Sequence, residues 1–214
     1  EPIQAEGGDN HFRPEFLAAL RQLCDENDML FICDEVQTGI GLTGSMWGFQ
    51  TLGVVPDLFA FGKKMQVCGF AAGARIEEEP ENVFAVSSRI NSTWGGNLVD
   101  MVRSRRYLEI IEAEDLVGNA REVGAFLLGK LRELAAEFPG KVTNVRGRGL
   151  FIAFDLPDGA TRGKVLATWL QKHAVMGLSC GESSVRLRPA LTLSKDEALL
   201  GVQRLRATLT EVLG

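Results

Sequence analysis

The chain has 214 residues, 45% hydrophobic and 24% charged, with a formal net charge of −5. That length can bury a sizeable core, and the acidic balance argues against nucleic acid or an anionic membrane as the main partner. No apolar run approaches the roughly 20 residues a membrane-spanning helix needs, and no signal-peptide pattern opens the chain, so the expected location is cytoplasmic. The four cysteines, Cys24, Cys33, Cys68 and Cys180, are scattered without a C-x-x-C pair, and there are two histidines, His11 and His173. Free thiols and no metal site are the reading. The chain opens at Glu1 in a phrase, Glu1-Pro2-Ile3-Gln4, that reads as the end of a strand. The expectation is therefore that an N-terminal part of a longer protein precedes it.

Pro14 to Asp28 carries apolar residues at Phe16, Leu17, Leu20 and Leu23, the spacing of an amphipathic helix with a proline in its first turn. Met29 to Cys33 is a continuous apolar run, as in a strand buried on both faces of a parallel sheet. Pro56-Asp57 introduces a second such strand, Leu58 to Phe61, and Gly69 to Ile76 reads as a third that turns back. Asn97 to Asp115 reads as a long helix with Leu98, Val102, Leu108 and Ile111 on one side, and Gly118 to Glu137 as another. Pro139-Gly140 marks a break. Beyond it the pattern predicts a strand at Leu150 to Leu156, a helix from Gly163 to His173, and strands at Val175 to Leu178 and Val185 to Leu193. A last helix follows from Ser194, where Ser194 with Glu197 forms a capping-box signature. The order is that of an α/β protein with a mostly parallel sheet and flanking helices. We expect residues 1–113 to belong to a large domain and residues 114–214 to a smaller α+β domain.

Two strand ends carry the chemistry. The run Leu30-Phe31-Ile32-Cys33 ends at Asp34-Glu35-Val36-Gln37, and Leu58-Phe59-Ala60-Phe61 leads through Gly62 to Lys63-Lys64. Ligands of open α/β sheets bind beyond the carboxyl ends of the strands, so an acid and a lysine should face one crevice. A lysine there loses hydration and becomes nucleophilic, so one of the pair should be held inside. Successive strand residues point to opposite sides, so only one of Asp34 and Glu35 can meet a given ligand. A carboxylate facing an amine suits pyridoxal phosphate, whose aldehyde takes a lysine and whose ring nitrogen takes an acid. Val185-Arg186-Leu187-Arg188 alternates like a strand and puts both arginines on one face; a solvated edge is the plain alternative.

Glu1 to Gly8, Asp34 to Gly39 and Phe61 to Lys64 together resemble the class III (ω-) aminotransferases, which are fold-type I pyridoxal phosphate enzymes. The likeness runs from residue 1 to about residue 193. Lys63 to Gly69 and Ser92 to Asn97 are most similar to the L-lysine 6-aminotransferase branch of that class. The resemblance implies that Lys63 is the Schiff-base lysine and that Asp34 binds the pyridine nitrogen. It implies that Gln37 bonds the ring's phenolic oxygen and that Thr93 reaches the cofactor phosphate of a neighbouring subunit, hence a homodimer. Glu6 and Arg186 resemble a pair that closes for an ω-amino donor and opens for the carboxylate of 2-oxoglutarate, with Arg188 the reserve choice. The implied reaction moves the ε-amino group of L-lysine to 2-oxoglutarate. Ala5, Leu42 and Pro189-Ala190 depart from common class residues without removing a catalytic group. The phosphate cradle, the ring-stacking aromatic and a substrate arginine belong to the half of the family not represented here.

Three alternatives remain: a 4-aminobutyrate or ornithine aminotransferase, a non-catalytic fragment, and a nicotinamide dehydrogenase. The last rests on Gly39-Ile40-Gly41-Leu42-Thr43-Gly44, which satisfies G-x-G-x-x-G after a strand but opens no clear helix. Gly159 to Lys164 lacks the spacing of a phosphate loop, and Arg146-Gly147-Arg148-Gly149 reads as a lead into the following strand.

Overall fold

The structure, a computed structural model, describes residues 1–214. In chain order its elements are β1 (Ile3–Gln4), β2 (Asn10–His11), α1 (Pro14–Glu26), β3 (Ile32–Asp34), β4 (Leu58–Phe61) and β5 (Gly69–Ala72). Then come α2 (Leu98–Ala113), α3 (Leu116–Glu137), β6 (Thr143–Arg148), β7 (Phe151–Asp155) and α4 (Gly159–His173). β8 (Leu178–Cys180), β9 (Ser184–Leu187) and α5 (Lys195–Leu213) complete the chain. These form two compact units: Glu1–Pro2 with Phe12–Ile40 and Trp47–Glu114, and Ile3–His11 with Gly41–Met46 and Asp115–Gly214.

In the first unit β3 pairs parallel to β4, and β4 pairs antiparallel to β5. The predicted β4 is met residue for residue, and the third strand does turn back. Leu17 of α1 packs with Phe31, Cys33, Phe49, Leu52 and Val54, so one face of β3 is sealed. The other face is open: Ile32 is 61% exposed, against the expectation of burial on both sides. The reason is that this core lies against one side of a three-stranded sheet. α2 likewise buries Ile111 while Leu98 and Val102, expected beside it, are exposed.

The second unit is built on a four-stranded antiparallel sheet, β6-β7-β9-β8. β7 lies inside it, and Leu150 through Phe154 are fully buried, which matches an uninterrupted apolar run. α3 and α4 both pack against α5. α4 begins at Gly159, earlier than its apolar pattern suggests, because Asp158 caps it by accepting from the Thr161 amide. The strand expected at Val175 lies at β8 instead, after Ala174 ends α4 in a left-handed conformation. Arg146 to Arg148, expected as a lead into the next strand, belong to β6, a full strand whose pairing with β7 is interrupted between Thr143 and Arg146. α5 starts as expected, with Ser194 and Glu197 in a reciprocal capping box.

Candidate active site

β3 and β4 run in parallel, with Asp34 opposite Ala60, so Asp34 and Lys63 emerge from the same end of neighbouring strands. Asp34 is exposed and accepts from the Val36 amide at 2.9 Å. Lys63 opens a single 3-10 turn, Lys63–Met65, with φ of 46°. Its side chain is exposed and Lys64 is half-buried. Of the pair expected to place one lysine inside, Lys64 is the one partly covered and Lys63 is in solvent. Gln37 is half-buried, three residues beyond Asp34. Thr93 is exposed in the turn that leads into α2, whose first residues are capped by the Asn97 side chain at 2.9 Å from the Val99 amide.

Glu35 has the opposite surroundings from Asp34. It is 1% exposed and accepts from Thr38 Oγ1, from the Gly48 amide at 2.8 Å and from the Phe49 amide at 2.7 Å. Burial pushes its pKa up against the pull of those donors. Its oxygens hold the start of the 3-10 helix Gly48–Leu52, so the strand-end alternation separates a supporting acid from an exposed one.

The second unit brings Glu6 and Arg186 together, at 2.7 Å between Oε1 and Nη2. The Arg186 side chain is 11% exposed and that of Glu6 is 68% exposed. Arg186 is on β9, bonded on both sides by β7 and β8, so it does not lie on a solvated edge. Arg188 is committed elsewhere: it pairs with Asp9 and lies 3.3 Å above the centre of the Phe151 ring. Asp9 is fully buried; burial raises its pKa while Arg188, Arg146 and Arg186 draw it down. Arg146 binds Asp155 at 2.8 Å and the backbone carbonyls of Gly8 and Asp9. Asp9 has no local signal in the sequence, and Arg146 shows there only within a lead into the following strand. The Arg146-Gly147-Arg148 alternation on a strand was the signal that could have found Arg146.

The glycine run does not form a nucleotide loop. Gly44, at φ of 83°, lies so close to α3 that an added Cβ would meet Arg121 at 3.2 Å. Arg121 Nε in turn donates to the Gly44 carbonyl. The glycine serves this packing, and no α-helix opens after it.

Residues 1–209 match the family described as aminotransferase class III. The chain belongs to the class III aminotransferases. An L-lysine-epsilon aminotransferase of Streptomyces clavuligerus is 55% identical over 212 residues, covering 99% of this chain and 46% of that protein. A 4-aminobutyrate aminotransferase of Schizosaccharomyces pombe is 38% identical over 210 residues, covering 96% and 43%. The solved lysine aminotransferase of Mycobacterium tuberculosis superposes with a TM-score of 0.95 at 56% identity, covering 99% of this chain and 48% of that one. The chain thus spans about half the length of the curated relatives it matches. Its α/β architecture is that of the fold-type I transaminases.

Proposed function

We propose that this class III chain forms part of a pyridoxal phosphate-dependent aminotransferase that carries the ε-amino group of L-lysine to 2-oxoglutarate, giving the semialdehyde and glutamate. The observation that carries the reading is an exposed amine, Lys63, and an exposed carboxylate, Asp34, at the carboxyl ends of neighbouring parallel strands. That donor set fits the cofactor: an amine for its aldehyde and an acid for its ring nitrogen. When bound, pyridoxal phosphate supplies the electron sink for a carbanion at the substrate carbon. Asp34 would hold the proton of the ring nitrogen, and Gln37 would bond the ring's phenolic oxygen. Thr93 would extend its hydroxyl to a phosphate held by the neighbouring subunit, which would make the working unit a homodimer. Lys63 Nζ would hold the cofactor's aldehyde carbon and, once the substrate amine had displaced it, would serve as base at the substrate carbon and then as acid at the cofactor carbon. Glu6 covers Arg186 while the donor reacts. On leaving, it frees the guanidinium to grip the α-carboxylate of 2-oxoglutarate bidentately.

In this proposal residues 1–113 close a large cofactor domain and residues 114–214 form a small C-terminal domain. A cytoplasmic location belongs to the same reading; no helix is long and apolar enough to cross a membrane. Lysine is preferred over 4-aminobutyrate because the matched lysine aminotransferase is 55% identical and the 4-aminobutyrate enzyme 38%.

Borohydride reduction of the full-length protein, followed by peptide mass mapping, tests the assignment. A pyridoxyl mass on Lys63 is expected. A mass on Lys64 would move the site by one residue, and no adduct in folded, cofactor-supplied protein would overturn the enzyme class. A donor panel then decides the substrate: lysine should exceed 4-aminobutyrate and ornithine in kcat/KM.

A further inference from the structure

The backbone that carries Glu6 is held far more firmly than the side chain it presents. The Gly8 and Asp9 amides donate to the Ala5 carbonyl at 3.3 and 3.0 Å, closing a tight turn around Glu6. Gly8 adopts φ of 126°, which residues with a Cβ rarely reach. The Glu6 carbonyl accepts from the Gly181 amide at 2.9 Å.

Arg146 fixes the far end of this turn. Its Nε donates to the Asp9 carbonyl at 2.9 Å, and its Nη2 to the Gly8 carbonyl and to Ser184 Oγ. Its Nη1 donates to the Asn144 carbonyl at 2.7 Å and to Asp155 at 2.8 Å. Every N–H of the guanidinium is engaged, in a planar fork that a lysine cannot reproduce. The Asp9 side chain is clamped by Arg188. Of the three arginines gathered here, two grip the turn, and Arg186 meets the exposed Glu6 arm.

We propose that Arg146, assisted by Asp9 and Arg188, is a positioning residue for carboxylate discrimination. It holds the backbone of residues 5–9 still, so that Glu6 and a substrate carboxylate exchange on Arg186 by side-chain rotation alone. The proposal rests on the reading of Glu6 and Arg186 as the exchanging pair. A fixed backbone lowers the entropy lost each time the pair closes. A loosened turn weakens closure, leaves Arg186 uncovered and favours dicarboxylates over lysine.

The test uses the full-length holoenzyme with Arg146→Lys, Asp9→Asn, Glu6→Gln and the doubles with Glu6→Gln. Single-turnover kcat/KM is measured for L-lysine and L-glutamate, and glutarate, which cannot react, is titrated for affinity. Arg146→Lys should lower the lysine-to-glutamate ratio by about tenfold and tighten glutarate severalfold, as Glu6→Gln should. Combined with Glu6→Gln, it should add less than about twofold. An equal loss for both substrates, or a full further tenfold in the Glu6→Gln background, would mean a merely structural role and overturn the proposal. If Glu6→Gln itself leaves the ratio unchanged, the exchanging-pair reading has failed and the proposal falls with it. Asp9→Asn, which keeps the side-chain volume, carries the same test should Arg146→Lys not fold.

Discussion

The two polar clusters in this chain are built on opposite plans. At the ends of β3 and β4, Asp34 and Lys63 stand in solvent, and the firm bonding lies beneath them, in Glu35. Around Glu6, the firm bonding lies in the arginines themselves, and the exposed group is the single carboxylate they face. The difference follows from what each cluster is proposed to do. Groups that exchange covalent bonds and protons need unfilled bonding capacity. Groups that sort substrates need one movable member against a fixed background.

The sharpest way to break this contrast is to remove the amine proposed to react. Lys63→Ala should lower transamination by about 10³-fold or more, read from steady-state kcat, with no comparable loss in thermal stability. The support beneath should show the reverse. Glu35→Ala strands the Gly48 and Phe49 amides and should destabilise the fold by about 3 kcal/mol, read from denaturant midpoints. Residual activity per folded molecule should fall far less than in Lys63→Ala.

A smaller effect probes the second cluster. His11 is packed edge-on against Phe151 with its Nε2 buried and unbonded. Burial first, then the charges of Arg148, Arg146 and Arg188, lower its pKa from 6.5 to about 4. Between those values the unfolded chain binds the proton and the folded one does not, so stability falls as pH drops through the window. From pH 7 to pH 5 the loss should be about 2 kcal/mol. In His11→Gln that increment should be missing from a pH series of unfolding curves.

Much of this was legible in the sequence wherever one local signal sufficed. Ser194 and Glu197 sit three apart and form the cap they spell. The run Leu58 to Phe61 is the strand it suggests, and Asp34 and Lys63 follow from where two apolar runs stop. What stayed hidden depends on partners distant in sequence. Asp9 looks like an ordinary loop acid until Arg188 closes on it from 179 residues away. β6 lacks an apolar stretch because its residues bond to backbone and acids more than they bury surface. The G-x-G-x-x-G pattern misleads because glycine is demanded equally by a phosphate and by a helix pressed against a turn.

Lys63 also holds a left-handed backbone, a conformation of order 1 kcal/mol unfavourable for a residue with a Cβ. Chance mutation to glycine at that one codon would relieve the strain and yield a sturdier protein without the proposed nucleophile. Selection for robustness and selection for turnover therefore pull this position in opposite directions. On the proposed assignment, its lysine is activity kept against the grain of the backbone.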